Sequence, residues 1–173
     1  MKRDPFSVFD DPPDGAASSS TIAPDELLRL AGDKNRKVRL AVAENPRTPP
    51  EALARLSHDE DSGIVYAVAS HRSTPFEVAR GFASGRDERL ILAILANPNL
   101  EEEIVEIVAT GSNTRCRLRA MLHPNLSVAT LHVLAADSDI DIATAAKDRL
   151  VELRAEGVPV DKGRGLFKRL FGD

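Results

Sequence analysis

Residues 45–56 read NPRTPPEALARL, so a strong helix stop and a strong helix start lie within five positions of each other. The first proline disfavours the α conformation at Asn45, so a helix arriving through the preceding VRLAVAE is expected to end at about Asn45. Thr48 resembles an N-cap residue, Pro49 suits the first helical position, and Glu51 completes a capping box with Thr48. The stretch is therefore predicted to be a hinge between two short helices.

The hinge recurs every 26 residues without insertion, so that Asn45 corresponds to His71, Asn97 and His123. Apolar residues follow the same period in four columns. The columns are Leu27, Leu53, Ala79, Val105 and Leu131; Leu30, Leu56, Phe82, Val108 and Leu134; Val38, Ile64, Leu90, Cys116 and Ile142; and Leu40, Tyr66, Leu92 and Leu118. A period of this length is the signature of a solenoid, in which each unit buries its apolar face only against its neighbours.

Each repeat is predicted to contain two short helices, as illustrated by about 49–57 and about 63–70. A longer terminal helix is expected from 142 to about 155, ending at Gly157 and capping the stack. The predicted fold is all-α, a right-handed α-solenoid of about five 26-residue two-helix repeats with a C-terminal capping helix. Because helices of about two turns are marginal alone in water, their stability must come from stacking.

Composition agrees with a helical stack. Of the 173 residues 42% are hydrophobic, but only 4% are aromatic and tryptophan is absent. A sheet-rich protein usually carries more β-branched and aromatic residues. A single cysteine excludes a disulfide framework within the chain and suits a reducing cytosol. The sequence shows neither a signal peptide nor a long apolar run, so a cytoplasmic location is predicted.

The run VRLAVAENPRTPPEALARLSHDED, residues 38–61, resembles the leucine-rich repeat variant family. The matching residues are Val38, Arg39, Ala41, Val42, Asn45, Pro46, Thr48, Pro49, Glu51, Leu53, Leu56 and Asp59. The resemblance implies a bacterial α-solenoid related in shape to HEAT and armadillo repeats, with a second helix that is short or of 3₁₀ type. A cysteine-rich segment that holds an iron–sulfur cluster is known in this family, but Cys116 supplies one ligand of the four that such a cluster needs. No cofactor is predicted.

Residues that carry chemistry are few. His71 and His123 share the hinge column two repeats apart, roughly 20 Å for helices packed about 10 Å apart, so they cannot share a metal. Together with His58 and His132 they are interpreted as turn and surface residues. Cys116 lies in an apolar column and is interpreted as a small core residue. No glycine-rich phosphate loop or Ser/His/Asp set is recognisable, so we predict no catalytic, cofactor or metal residues and no enzyme activity.

The first candidate surface lies in the second-helix layer. In the middle repeats, two apolar residues replace the arginines of one column, and two larger apolar residues replace the alanines of another. The predicted protein-binding patch consists of Val65, Ile91, Leu95, Met121, Arg39 and Arg117. An apolar patch rimmed by arginines would suit a partner helix or peptide. The alternative is that neighbouring turns cover these residues.

The second candidate surface is a stripe of cations. It contains Arg36, Lys37, Arg39, Arg89, Arg115, Arg117 and Arg119. A net charge of −4, a pI near 5.6 and the lack of an interleaved aromatic platform argue against nucleic-acid binding. The preferred interpretation is a solvated helix face, and a nucleic-acid-binding solenoid remains the alternative.

The third candidate surface is the C-terminal tail, residues 166–173. As a helix it would place four apolar side chains on one face with two cations beside them. These six residues are Leu166, Phe167, Lys168, Arg169, Leu170 and Phe171. The tail is similar to the membrane-targeting helix of the Min-system ATPases, which implies weak, reversible attachment to an anionic membrane surface. A docking motif for a protein partner and a tail folded back on the solenoid are the alternatives.

The chain is thus predicted to contain a disordered N-terminal tail (1–20), an α-solenoid (21–156), a flexible linker (157–165) and the amphipathic tail (166–173). We predict a non-enzymatic protein-binding or adaptor solenoid, recruited by its tail to the cytoplasmic membrane surface. The alternative is a structural subunit of a larger assembly, with the tail as a docking motif. The sequence leaves the partner's identity and the oligomeric state open.

Overall fold

The computed structural model describes residues 22–160, and this part of the chain is all-α, as predicted. Its helices are α1 (Pro24–Leu30), α2 (Arg36–Glu44), α3 (Pro50–Leu56), α4 (Ser62–Ala69), α5 (Phe76–Ala83), α6 (Glu88–Ile94), α7 (Glu102–Ala109), α8 (Thr114–Ala120), α9 (Val128–Leu134) and α10 (Ile140–Ala155). The resemblance implied a second helix that is short or of 3₁₀ type, and α2, α4, α6 and α8 are short α-helices. Each has a side-chain N-cap, which favours a regular first turn.

The described part of the chain divides into two compact units, residues 22–79 and 80–160, and the division falls within α5. In the first unit α1 packs on α2 and α3, and α2 packs on α4. In the second unit α7 packs on α8 and α9, while α10 packs on α8 and α9. The handedness and the repeat number of the predicted solenoid remain predictions.

The predicted apolar columns form the core of each unit. In the first unit Leu53 and Ile64 are fully buried, and in the second Leu131 and Ile142 are equally enclosed. Burial of such a side chain contributes roughly 1.5–3 kcal/mol, which is what holds helices of two turns in place. The fourth predicted column differs, because Tyr66 and other members lie partly in solvent.

The second helices begin at a repeated N-cap. Its side chain accepts a hydrogen bond from a backbone N–H of the first turn, which satisfies a donor that the helix leaves unpaired. The N-cap residues are Asn35, Asp61, Asp87, Asn113 and Asp139. The sequence of each turn between the two helices of a repeat therefore determines where the second helix starts.

The capping box predicted at Thr48 is wrong. Helix α3 begins at Pro50, and its N-cap is Pro49, which makes no side-chain capping bond. Because the two prolines take the N-cap and N1 positions, Thr48 lies outside the helix, and its buried hydroxyl donates to the Val42 carbonyl instead. The threonine thus closes the end of the preceding helix, whose stop at about Asn45 was predicted correctly.

The hinge histidines connect one repeat to the next. His71 Nε2 lies 2.9 Å from the Asn45 carbonyl oxygen, and His123 Nε2 lies 2.9 Å from that of Asn97. In each ring Nδ1 accepts from the backbone N–H two residues on, so the proton that bridges the repeats is on Nε2. Both rings are buried, so the interpretation of His71 and His123 as surface residues is wrong. Their position in the hinge was predicted correctly.

The C-terminal helix ends as the sequence indicates. Gly157 has φ of +81°, and Val158 N–H donates to the Leu153 carbonyl at 2.9 Å, which is the pattern of a Schellman turn. The chain then reverses, and His132 Nε2 on α9 lies 2.9 Å from the Val160 carbonyl oxygen. Residues 157–160 of the predicted linker are therefore held at α9. The rest of the linker, the N-terminal residues 1–20 and the tail lie outside the described residues.

Replacing His71 by alanine removes the Nε2–H that bridges to the Asn45 carbonyl and the ring that fills the hinge. We expect the free energy of unfolding to fall by about 1–3 kcal/mol, because both groups are buried. His58→Ala removes the same side chain from an exposed position and is the matched control, with an expected change of about 0.5 kcal/mol or less. Urea denaturation followed by circular dichroism measures both values, and equal losses would contradict the bridging role.

Candidate functional site

In the first unit, the turn between paired helices is joined to the preceding repeat by an arginine. Arg39 Nε lies 2.6 Å from Asp59 Oδ2 and Arg39 Nη2 lies 3.0 Å from Asp59 Oδ1. The same guanidinium donates from Nη1 to the Asp33 carbonyl at 3.0 Å. The hydrogen bonds from Arg39 lower the pKa of the Asp59 carboxyl below its ordinary value. The pair is largely enclosed, with 11% and 7% of the two side chains exposed.

Arg117 occupies the corresponding position three repeats later, in the second unit. Its Nη1 donates to the Gly111 carbonyl at 2.9 Å, as Arg39 does to Asp33. Its Nη2 lies 3.7 Å from Oδ1 of Asp137 and 3.7 Å from Oδ2 of Asp139. The guanidinium therefore again joins the turn of its own repeat to the carboxylates of the next.

Between these two positions the second unit has a repeat in which both members of the pair are replaced. Ile91 stands in the column of Arg39, and Gly111 stands in the column of Asp59. A cleft of about 550 Å³ opens there. Its lining consists of Ala83, Ser84, Gly85, Arg86, Ile91, Ile107, Val108, Gly111, Ser112, Asn113 and Cys116. Two side chains that would close the edge of the repeat are therefore missing at this cleft.

The cleft has an apolar floor and a polar rim. Ala83, Ile91, Val108 and Cys116 form the buried part of the lining, and burial raises the pKa of the Cys116 thiol. This agrees with its interpretation as a core residue, because the thiolate is the reactive form. Ser84 and Ser112 are exposed members of the lining. Concave sites of this size and composition bind small molecules or single side chains of a partner.

Asn113 supports the wall of the cleft. Its Oδ1 accepts from the Cys116 N–H at 3.0 Å and caps α8, while its Nδ2 donates to Glu88 Oε2 at 3.0 Å. Glu88 lies in the first turn of α6, one repeat earlier, and also accepts from Arg115 Nη1 at 2.7 Å. The two repeats are thus tied together beside the cleft, which keeps its walls in place.

The predicted protein-binding patch is not an exposed surface in the structure. Ile91, Leu95 and Met121 are 4–6% exposed, and Val65 is half-buried. Short helices in a stack have neighbours on several sides, so a large apolar residue there fills space between helices. Ile91 alone among these four lines the cleft. The arginines of the predicted rim, Arg39 and Arg117, are held in the ion pairs described above.

Other members of the cation stripe are also paired with carboxylates. Arg36 binds Asp61, whose pKa is lowered chiefly by that hydrogen bond, and Arg115 binds Glu88. Among the residues from 22 to 160, no group of three or more His, Cys, Asp or Glu side chains is arranged to hold a metal ion. None of the helices α1 to α10 is both long and apolar enough to cross a membrane.

The sequence-based search missed Gly85 and Gly111. Neither has a positive φ, but a Cβ added at Gly85 would lie 3.2 Å from the Phe82 carbonyl oxygen, and one added at Gly111 would lie 3.2 Å from that of Val108. They could have been found by comparing two columns of the repeat, the arginine column and the aspartate column twenty positions later. Arg39 is followed twenty positions later by Asp59, and Arg117 by Asp137, whereas Ile91 is followed by Gly111. The loss of the arginine and the loss of the aspartate coincide.

Residues 36–61 match the family model described as Leucine rich repeat variant. The matched segment runs from the first residue of α2 to the N-cap of α4, so it covers one repeat. It confirms the resemblance noted in the sequence and agrees with the repeated helical fold. Helical repeats of this kind are used for protein interaction. Neither the curated proteins nor the solved structures contain a match to the chain.

Arg39→Met leaves Asp59 without its guanidinium. The pKa of Asp59 is lowered in the folded chain, so its stabilising contribution is complete above its unfolded-state pKa of about 4 and is lost as the pH falls through the folded-state pKa. We expect the wild-type chain to be more stable than the variant at neutral pH, and the difference in free energy of unfolding to shrink below about pH 4.

Urea denaturation at a series of pH values from neutral to acidic measures this difference. Lys37→Met, which removes an exposed cation from the same helix, is the control. A difference between the wild type and Arg39→Met that stays constant throughout the series would contradict the ion pair as the origin of the stability.

Proposed function

We propose that this protein is a non-enzymatic adaptor that holds a short segment of a partner protein in the cleft at Ile91 and Gly111. The observation that carries the proposal is the joint replacement of the inter-repeat arginine and aspartate at this one repeat of the second unit. Where the pair is present, at Arg39 and Asp59, the edge is closed by charged side chains that satisfy each other. At Ile91 and Gly111, where both are absent, the second unit has a cleft with an apolar floor.

The chemistry of the cleft suits a peptide with one large apolar side chain. Covering the floor at Ile91 and Val108 with a side chain the size of leucine would contribute roughly 1.5–3 kcal/mol. Backbone groups and hydroxyls on the rim, including Ser84 and Ser112, provide partners for the peptide's polar groups. Such a contact is specific in position but weak, which fits an adaptor that binds reversibly.

The lining of the cleft favours binding over catalysis. Of the residues that line it in the described chain, none is a histidine or a carboxylate, and the Glu88 carboxylate beside it already accepts from Asn113 and Arg115. The raised pKa of the Cys116 thiol works against its use as a nucleophile. These features support a non-enzymatic role.

The tail provides a second binding element in the proposal. Leu166, Phe167, Leu170 and Phe171 form an apolar set, accompanied by the cations Lys168 and Arg169. A short segment of this composition gives weak attachment to anionic lipid, and stable recruitment needs a second contact. Binding of a membrane-associated partner in the cleft would supply that contact. The protein would then act at the inner face of the cell membrane.

Nucleic-acid binding is a poorer fit to the stripe of cations. Arg36, Arg39, Arg115 and Arg117 each bind a carboxylate of their own chain. A phosphate backbone would have to displace those partners, and the chain as a whole is negatively charged.

The cleft can be closed by restoring the missing pair, with the double substitution Ile91→Arg and Gly111→Asp. We expect peptides selected from a displayed library on the full-length wild-type protein to lose about tenfold or more in affinity for this variant, because a guanidinium and a carboxylate would fill the site. Fluorescence anisotropy with the selected peptides measures the change. Lys37→Met, in the other unit, is the control and should bind them like the wild type.

Retained binding by the closed variant would contradict the cleft as the partner site. Thermal unfolding followed by circular dichroism checks that the closed variant is folded. Ser112→Trp provides a second blocked variant, since it adds bulk at an exposed position on the rim without changing the core.

Membrane recruitment is tested by co-sedimentation with liposomes. We expect the full-length protein to bind vesicles of phosphatidylglycerol and phosphatidylethanolamine at low salt, and to bind phosphatidylcholine vesicles much less, because cations contribute to the attachment. Leu170→Glu places a charge in the apolar set and should reduce binding about tenfold. Equal sedimentation of the wild type and this variant would contradict recruitment by the tail.

A further inference from the structure

We propose that the C-terminal segment of this chain, residues 161–173, occupies the cleft at Ile91 and Gly111 when neither partner nor membrane is bound. The inference rests on the proposed function and adds its regulation. The tail would be a tethered ligand that keeps the cleft covered and its own apolar side chains away from lipid. Partner binding and membrane binding would then each release the other element.

The first support is the point from which the segment starts. The reversal at Gly157 directs the chain back from α10, and the hydrogen bond between His132 Nε2 and the Val160 carbonyl holds it beside α9. His132 lies in the last turn of α9, the end that leads into the turn before α10. The corresponding turn of the preceding repeat, 110–113, forms one wall of the cleft. The segment therefore starts in the right unit, about one repeat from the cleft.

The second support is the length of the segment. Neighbouring helices pack about 8–10 Å apart, so a wall one repeat away and a cleft beyond it lie roughly 20 Å from Val160. Six residues of extended chain span roughly 20 Å. Residues 161–166 would thus bring Leu166 and the apolar residues after it to the cleft, with several residues left to bind there.

The third support is chemical, because in other repeats an arginine guanidinium occupies the position that corresponds to the cleft. Arg39 Nη1 donates to the Asp33 carbonyl at 3.0 Å, and Arg117 Nη1 donates to the Gly111 carbonyl at 2.9 Å. The carbonyl in the same column at the cleft belongs to Gly85, and the arginine column is occupied there by Ile91; both residues line the cleft. A guanidinium supplied by the tail would take the place of the missing arginine.

The tail has the composition that this site requires. It combines guanidinium groups, at Arg164 and Arg169, with large apolar side chains such as Leu166 and Phe167. The segment 161–173 has four cations against two carboxylates in a chain whose net charge is −4. On the way from Val160 it would pass the turn that contains Asp137 and Asp139, where its cations meet charges of opposite sign.

Tethering makes a weak interaction sufficient. A segment joined by a short linker is present at an effective concentration in the millimolar range, so an affinity too low to observe between separate molecules can keep the cleft occupied. An external ligand must compete with that concentration. The apparent affinity of the wild-type chain for any cleft ligand is therefore lowered by its own tail.

The test uses the full-length chain and a fluorescein-labelled synthetic peptide with the sequence of residues 161–173. In a tail-disabled chain, with Leu166→Ser, Phe167→Ser and Leu170→Ser, the cleft is empty and we expect the peptide to bind. In the wild-type chain the tethered tail competes, so binding should be about tenfold or more weaker. In the tail-disabled chain with Ile91→Arg and Gly111→Asp, binding should be lost. Fluorescence anisotropy measures all three, and Ser112→Trp in the tail-disabled chain is the second blocked variant.

Failure to bind the tail-disabled chain, or equal binding to the open and closed chains, would overturn the inference. So would a wild-type chain whose tail binds the cleft of a second copy, which sedimentation velocity would reveal as a dimer that dissociates in the tail-disabled variant. The proposed function is judged separately. If library-selected peptides discriminate between the open and closed clefts while the 161–173 peptide does not, partner binding stands and only the tethered-ligand inference fails.

Discussion

The contact between one repeat and the next is the interaction on which the rest of this protein depends. Most of its helices have seven to nine residues, too few to be stable alone in water. They persist because their apolar side chains are buried against neighbouring helices of the same unit, as α1 packs on α2 and α3 in the first unit and α7 packs on α8 and α9 in the second. The hinge histidines extend this relation to the backbone, since His71 and His123 each bond to a carbonyl of the preceding repeat. Helix formation and stacking are therefore a single event.

The ion pair between Arg39 and Asp59 adds a further contact between neighbouring repeats, at their turns. A buried arginine or aspartate without its partner is costly, whereas removal of both together is tolerated. That asymmetry gives a physical reason why Ile91 and Gly111 occur together, as Arg39 and Asp59 do. The cleft is thus a by-product of a substitution that the interface can absorb. It lies where the walls are still tied together by Asn113 and Glu88.

The same arrangement would allow the helical stack to carry the binding function and the regulation proposed above. The floor of the cleft is made of buried core residues, while the rim includes exposed turn residues with hydroxyl and carbonyl groups. A weak ligand suffices if it is tethered, and His132 holds the last described residue of the chain in the second unit, the unit that contains the cleft. In the proposed regulation, affinity arises from several weak contacts: the cleft binds either the partner or the tail, and the tail binds either the cleft or the membrane.

Much of the fold follows from the sequence alone. The 26-residue period, the all-α class, the stop at Asn45 and the end of the last helix at Gly157 are local or periodic properties, determined by proline, glycine and the spacing of apolar residues. The family resemblance, too, was visible in residues 38–61. Thr48 shows the limit of such reasoning, because two consecutive prolines shifted the helix start by one residue and gave the threonine another carbonyl to bind.

The candidate site was decided by tertiary structure. The sequence identified Ile91 as a departure from the arginine column, but an isoleucine at this position could be either exposed on a patch or buried between helices. For Leu95 and Met121 the sequence left an exposed patch and a covered position open, and the structure buries both, because helices that only packing brings together lie against them. The role of Gly111 was recognised only when the structure placed it in the position of the missing aspartate, twenty residues from Ile91 in the chain.

The sequence by itself determined the repeating unit, because the unit follows from local helix propensities and from the period of the apolar residues. The cleft could be seen only in the tertiary structure. It forms because two side chains are missing from adjacent repeats, and their loss leaves a cleft only where the surrounding helices are packed around the two positions.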